Sequence, residues 1–228
     1  MMLYNADALT VIQNLQKEGK EFEAVLTDPP YCSRISGKGL SKYYDGETLN
    51  MEEYFCENLS PAAFLMQTRL WVQEAAKLLV NGGYFFIFSD FRQIPFFSIC
   101  LELGGLDYRG VIVWDKKNAR PQKGQFTQSC EFILWGTKGR PLSEKILRGR
   151  YEVPSILSKK RKHPCEKPVP LLEQILKILP ENSSVLDPFM GSGSTGEACQ
   201  NMGLKFTGIE FNEYYFNLAN QRLCNSQI

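Results

Sequence analysis

Residues 184–196, SVLDPFMGSGSTG, constrain this chain more than any other stretch. The apolar pair Val185 and Leu186 stops at an acid, Asp187. Pro188 and Phe189 follow, then a turn carrying Gly191, Gly193 and Gly196. A helix-like segment comes next, and the following apolar run ends at Glu210. Strand, glycine turn, helix, and a second strand tipped by an acid is the outline of a nucleotide-binding βαβ unit. Glycines let a ligand approach the backbone, and the helix start offers unpaired N–H groups.

Around this unit the chain alternates strand-sized apolar runs with helix-spaced segments. That alternation predicts a doubly wound, mostly parallel α/β sheet of Rossmann-like type, in a single domain over 1–228. Strands are expected near 3–5 and at 22–27, 84–88, 109–114, 131–135, 184–186 and 206–209. Helices are expected at 8–17, 61–80, 91–103, 169–179 and about 212–224, with Asn81-Gly82-Gly83 as a helix stop. Residues 32–60 interleave serine and glycine with basic residues and are too long for a passive connection, so a mobile lid is expected there.

No apolar run approaches the ~20 residues of a membrane span, and the first residues lack a signal-peptide core. A cytoplasmic protein with no membrane partner is expected. Seven cysteines without a C-x-x-C pair, and the single histidine His163, suggest neither a disulfide framework nor a metal site.

A second stretch ends the 22–27 run with Asp28-Pro29-Pro30-Tyr31. Two prolines remove two N–H donors, so the chain must leave the sheet there. Asp28 is then either the cap of a rigid turn or an acid at the sheet edge where ligands bind. Charge is also unevenly placed. Residues 116–162 hold thirteen Lys or Arg against three Glu, a net +10, while the whole chain is only +1. A cationic segment in an acidic body points to nucleic acid.

The glycine frame alone admits several ligands. Four residues, Asp187 to Met190, separate the strand from the first glycine, where a dinucleotide fold has glycine at once. Asp187 would point a carboxylate at a pyrophosphate, and Glu197 stands where a P-loop needs Lys. Both acids disfavour phosphates. A ribose held by Glu210 and a cationic tail facing Asp187 and Asp28 describe S-adenosylmethionine.

DPPY at 28–31 together with DPFMGSGSTG at 187–196 resembles the amino-methylating DNA methyltransferases, which act on adenine N6 or cytosine N4. The motif order is similar to that of the circularly permuted β class. The likeness extends to NADAL at 5–9, VIVWDK at 111–116, HPCEKPVPLLEQIL at 163–176 and GIEFNEYYFNLANQRL at 208–223, covering nearly the whole chain. Cys165-Glu166 departs from the polar pair usual before Lys-Pro, and the recognition region is short.

The resemblance implies site-specific methylation of double-stranded DNA. Asp28 and the Pro29 carbonyl would accept the amino hydrogens of a flipped-out base, with Pro30 shaping the turn and Tyr31 stacking on the base. Phe189 and the turn from Pro188 through Gly191, Gly193, Ser194 and Thr195 would hold the cofactor. Asp7 and Ala8 would lie near its adenine, Glu210 on its ribose and Lys167 near its methionine carboxylate. Phe211 either flanks the adenine or is a core aromatic; His163 reads as a loop-structuring residue. Lys116, Lys117, Arg120, Lys123, Arg148, Arg150, Lys159, Lys160 and Arg161 in the 116–162 insertion would contact DNA. Asp rather than Ser before Pro-Pro leans toward adenine over cytosine. The resemblance also leaves room for a homodimer and a cognate restriction endonuclease. An NAD-dependent oxidoreductase and a non-catalytic DNA-binding protein are the competing classes.

Overall fold

The computed structural model describes residues 1–30, 60–119, 121, 123–157, 159, 161, 163 and 165–224. The expected lid at 32–60 therefore falls outside the described residues, apart from Ser60. The elements run β1 (Met2–Asn5), α1 (Ala8–Lys17), β2 (Phe22–Thr27), α2 (Pro61–Lys77), β3 (Leu79–Ser89), α3 (Ile94–Leu103), β4 (Asp107–Asp115) and β5 (Cys130–Thr137). After these come β6 (Arg150–Glu152), α4 (Val169–Leu176), β7 (Ser184–Asp187), α5 (Ser194–Asn201), β8 (Lys205–Glu210) and α6 (Glu213–Cys224). They build one eight-stranded sheet in the order β1-β8-β7-β2-β3-β5-β4-β6. Strands β1, β8, β7, β2 and β3 pair in parallel, and β5 runs antiparallel to both β3 and β4.

Alternation along the central strands assigns the two faces. Val25, Phe85, Ile87 and Leu186 face a core that packs α1, α2 and α3. Ala24, Leu26, Phe86 and Val185 face the opposite core, against α4, α5 and α6. Central parallel strands are apolar on both faces because helices cover both.

Three differences from the sequence expectation have local causes. Asn81-Gly82-Gly83 does not end a helix but lies inside β3. Gly82 takes φ +83°, and a Cβ there would stand 2.6 Å from the Arg140 carbonyl. The pair Phe22–Leu79 is followed by Ala24–Tyr84, so β3 holds the glycines as a bulge. Pro95 does not interrupt a helix at 91–103; α3 begins at Ile94, which puts the proline in its first turn, where no N–H is needed. The strand β6 was not foreseen at all. It has three residues, of which only Tyr151 is buried, so no apolar alternation announces it.

The basic stretch 116–162 is threaded through the sheet rather than looped off it, since it supplies β5 and β6. Part of its charge is spent there. Lys138 Nζ donates to the Leu79 carbonyl (2.7 Å), and Lys145 Nζ donates to the Leu179 carbonyl (2.6 Å).

Candidate active site

The carboxyl ends of β1, β8, β7 and β2 share one edge because these four strands are parallel neighbours. Helices after β2 cover one face and those after β7 cover the other, so the sheet switches direction between these two strands. A crevice opens at such a switch point, and ligands bind there in open α/β sheets. Here it is a solvent-open cleft lined by Asp28, His163, Cys165, Glu166, Lys167, Asp187, Phe189, Met190, Gly191, Ser192, Ser194 and Thr195. Among the predicted residues, Asp28 comes from β2's end, Lys167 from the loop before α4, and the rest from the glycine turn.

Asp187 is buried at 3% exposure. Its Oδ1 accepts from Thr27 Oγ1 (2.8 Å) and from the Phe189 backbone N–H (3.1 Å). Burial pushes its carboxyl up to about 7, although hydrogen bonds from Thr195, Thr27 and Phe189 oppose that shift. Pro188 is buried, and Phe189 packs edge-on against Trp71 at 5.0 Å. Gly191 and Gly193 take φ +51° and +81°, and α5 starts at Ser194 with its first N–H groups at the cleft.

Glu210 closes the turn from the neighbouring strand. Its Oε2 accepts from the Gly191 N–H (2.9 Å) and its Oε1 from the Asn212 N–H (2.9 Å). Burial raises its carboxyl, against those backbone donors. Asn5, paired with Glu210 across β1 and β8, donates to the Glu210 and Phe211 carbonyls (2.9 and 3.1 Å). Asp7 caps α1 by accepting from Thr10 N–H and Oγ1 (2.9 and 3.0 Å), and Ala8 is buried behind it. Asp7, Ala8 and Phe211, like Glu210, are not among the residues that line the cleft. Phe211 is 59% exposed, so it is not a core aromatic.

Lys167 lines the cleft beside Asp28. Its ammonium, 9% exposed, pairs with Asp28 and lies 3.7 Å from Glu131 Oε2, above the Phe88 ring at 4.9 Å. Burial pulls the ammonium down, but the Asp28 and Glu131 carboxylates outweigh it and hold the pKa above its ordinary value. Pro29 is buried and Pro30 half-buried at the end of β2; Tyr31 lies outside the described residues.

His163 is held in the cleft wall. Its ring stands 3.6 Å from the point a Gly191 Cβ would occupy and meets Tyr215 edge-on at 4.3 Å. Its Nδ1 accepts from the Cys165 N–H (3.1 Å). Burial and the Lys167 charge lower the imidazole to about 4, so it is neutral at neutral pH.

The sequence also missed Arg222 and Glu131. Arg222 on α6 pairs with Glu166 (2.8 Å) and Glu197, and donates to the Ser192 carbonyl (3.3 Å) and Ser194 Oγ (3.1 Å). Glu197, which takes the place of a P-loop lysine, therefore serves to anchor α6 to the turn. Spacing of acids and bases signalled neither contact.

The predicted DNA-contact residues divide by partner. Lys116 pairs with Glu131 (2.5 Å) and Lys117 with Glu152 (2.5 Å), while Arg150 pairs with Asp115 (3.0 Å) and Glu152 (2.9 Å). Arg161 Nε donates to the Ile156 carbonyl (2.7 Å). Lys123, Arg148 and Lys159 are exposed, and Arg120 and Lys160 lie outside the described residues. Among the described residues no His, Cys, Asp and Glu group could hold a metal, and no helix is long and apolar enough to cross a membrane.

This geometry has close relatives. The chain is 29% identical to the type II methyltransferase M2.LlaDCHI of Lactococcus lactis subsp. cremoris, over 97% of this chain and 88% of the relative. It is 28% identical to the type II methyltransferase M2.DpnII of Streptococcus pneumoniae, over 98% and 89%. The M1.HpyAVI–SAM complex superposes with a TM-score of 0.74 at 31% identity, over 97% of this chain and 98% of that one. The cytosine-N4-specific PvuII DNA methyltransferase shares the fold, with a TM-score of 0.74 at 16% identity, over 99% and 87%. The family described as DNA methylase matches residues 22–221, from the first residue of β2 into α6. With both the Asp28 and Asp187 ends of that cleft inside the match, the chain belongs to the N6_N4_Mtase family of DNA methylases.

Proposed function

We propose that the chain transfers a methyl group from S-adenosylmethionine to the exocyclic N6 of an adenine flipped out of duplex DNA. The observation that carries this is the meeting of Asp28 and the glycine turn in one cleft. The donor set fits the cofactor. Asp187 and Glu210 bring carboxylates to the turn, which suits a ribose and a cationic tail and repels phosphate. When bound, the cofactor supplies an electrophilic methyl on a sulfonium.

The rest of the chemistry belongs to the chain. An exocyclic amino nitrogen is a poor nucleophile because its lone pair is delocalised into the ring. Asp28 and the Pro29 carbonyl accept its two hydrogens, which shifts the nitrogen toward sp³ and turns the lone pair to the methyl. Positioning and electrostatics carry such a step. Asp28 precedes the glycine turn along the chain, and that order supports the circularly permuted β class. Exposed Lys123, Arg148 and Lys159, with Arg120 and Lys160, contact phosphates. A cytoplasmic location, a homodimer and a cognate endonuclease remain part of this reading.

Cytosine N4 is the second target, since its amino group suits the same acceptors. Asp before Pro-Pro favours adenine. Labelled cofactor and DNA followed by nucleoside analysis decides it: N6-methyladenine is expected, and N4-methylcytosine as sole product would overturn the adenine assignment. An absence of any labelled nucleoside would leave a non-catalytic DNA-binding protein.

Asp187 adds a pH dependence. In the free protein its carboxyl is raised to about 7, so it is largely protonated below that pH. A cationic ligand favours the carboxylate and lowers this value. Binding must then release a proton below pH 7, and affinity should rise with pH up to about 7 and level off above it. Calorimetry in buffers of different ionisation heat at about pH 6 should count close to one proton released. A count of zero would separate Asp187 from the ligand.

A further inference from the structure

The β4–β5 hairpin, with Asp115 and Cys130 at its strand ends, turns at the same sheet edge as Asp28. It does so because β5 runs antiparallel to β3 and opens beside β3's carboxyl end, where Phe132 pairs with Ser89. At the foot of the loop, Lys116 Nζ stands 2.5 Å from Glu131 Oε1. Glu131 Oε2 stands 3.7 Å from Lys167 Nζ, and Lys167 pairs with Asp28. Four side chains of alternating sign therefore join the hairpin to the acid at the reaction centre.

Their hydrogen bonds are unevenly shared. Lys167 donates to Asp28 and to the Cys165 carbonyl (3.3 Å). Glu131 Oε2 is buried and, among the described residues, has no hydrogen-bond partner although an ammonium is within 4.0 Å. A buried carboxylate oxygen left in this way is costly, and it is stabilised by the nearest cation that can move to it. The Lys167 charge offsets part of that burial from 3.7 Å, Lys116 adds its charge and a hydrogen bond on the other oxygen, and Arg161 adds positive charge. Asp28, held by an ammonium, is meanwhile a weakened acceptor for an amino group.

We propose that Glu131 is a positioning residue: when a DNA phosphate takes Lys116, Glu131 draws Lys167 away from Asp28 and leaves that carboxylate a stronger acceptor for the target amino group. The inference rests on the reading of the chain as a DNA methyltransferase. Lys116 is at the exposed side of the chain of charges, 23% exposed against 9% for Lys167, so it meets a phosphate first. Losing Lys116 leaves Lys167 as the ammonium poised at Glu131. Closing 3.7 Å to hydrogen-bond distance needs a shift of about 1 Å, within reach of a lysine side chain. Catalytic competence is thereby coupled to DNA contact, and Asp28 stays neutralised until the duplex is seated.

Single-turnover methylation of a duplex, with separate DNA and cofactor affinities, tests this on Glu131→Gln, Glu131→Asp and Lys116→Met. Gln accepts a hydrogen bond but carries no charge to pull Lys167 from a carboxylate, so the single-turnover rate should fall about tenfold or more while both affinities stay within about twofold; Asp should restore part of the rate. Lys116→Met should weaken DNA binding about three- to tenfold, and the Lys167 ammonium should already stand shifted toward Glu131 in the free chain, because Glu131 has lost its other cation. A wild-type rate in Glu131→Gln overturns the proposal, as does a Lys116→Met chain whose Lys167 ammonium has not shifted. A merely structural role for Glu131 would lower both affinities along with the rate.

A second readout does not depend on methyl transfer. The lysine ammonium ¹⁵N signal of Lys167 should shift when duplex and S-adenosylhomocysteine are added to the wild-type chain, and stay fixed in Glu131→Gln. If the wild-type chain proves unable to methylate DNA, the enzymatic reading falls, while this signal still decides whether DNA contact moves Lys167. An unmoved signal overturns the proposal.

Discussion

Replacing Asp28 with Ala is expected to slow methyl transfer about 10³-fold while leaving DNA affinity within about threefold. The carboxylate stands at the end of β2 inside the cleft and is one of the two acceptors assigned to the amino group. Losing an acceptor that acts only as the nitrogen rehybridises should cost about 10³-fold in rate, or roughly 4 kcal/mol of barrier. The fold should survive the change, because Lys167 keeps Glu131 within 3.7 Å as a counter-charge. Single-turnover rates beside DNA and cofactor affinities make the measurement. Turnover near wild type would remove Asp28 from the reaction, and a parallel collapse in melting temperature would make its role structural.

Arg222→Met should be the most destabilising of the changes considered. The guanidinium is only 11% exposed and joins three segments: Glu166 before α4, Glu197 on α5, and the Ser192 carbonyl in the glycine turn. Removing one member of a buried ion pair costs about 3–5 kcal/mol, because the opposite charge keeps its desolvation penalty. For a chain of this size that corresponds to a drop of roughly 6–20 °C in melting temperature. Cofactor affinity should fall with it, since Ser194 and the turn lose their tie to α6. Adding Glu166→Gln and Glu197→Gln to Arg222→Met should recover part of the stability. A melting temperature within about 2 °C of wild type would show that the network holds nothing together.

The sequence and the structure each account for different parts of this site. Strand β7, its glycine turn and β8 were legible because the signals are local: an apolar run, an acid, glycines suited to positive φ, a helix. The exit of β2 at Asp28 was legible because two prolines cannot continue a ladder. Gly82 misled for the same kind of reason. A glycine pair marks a break, but a bulge within β3 satisfies that break as well as a helix end does. Short β6 carried no pattern, and its pairing with β4 depends on the hairpin beside it.

The class of sheet, the two motifs at its edge, their order and the sign of charge along the chain are all legible locally. These are set by neighbours a few residues apart, through backbone sterics and apolar periodicity. Which charges meet depends on how the strands are laid side by side. Lys167 and Asp28 are 139 residues apart, and they face each other because β7 docks beside β2 and the sheet reverses there. That placement pairs Lys167 with Asp28, a contact no motif announces. It also gave Glu131, a strand residue without a motif, its position between the hairpin and the cleft. Ion pairs within a fold follow strand order and burial, and no local run of residues encodes either.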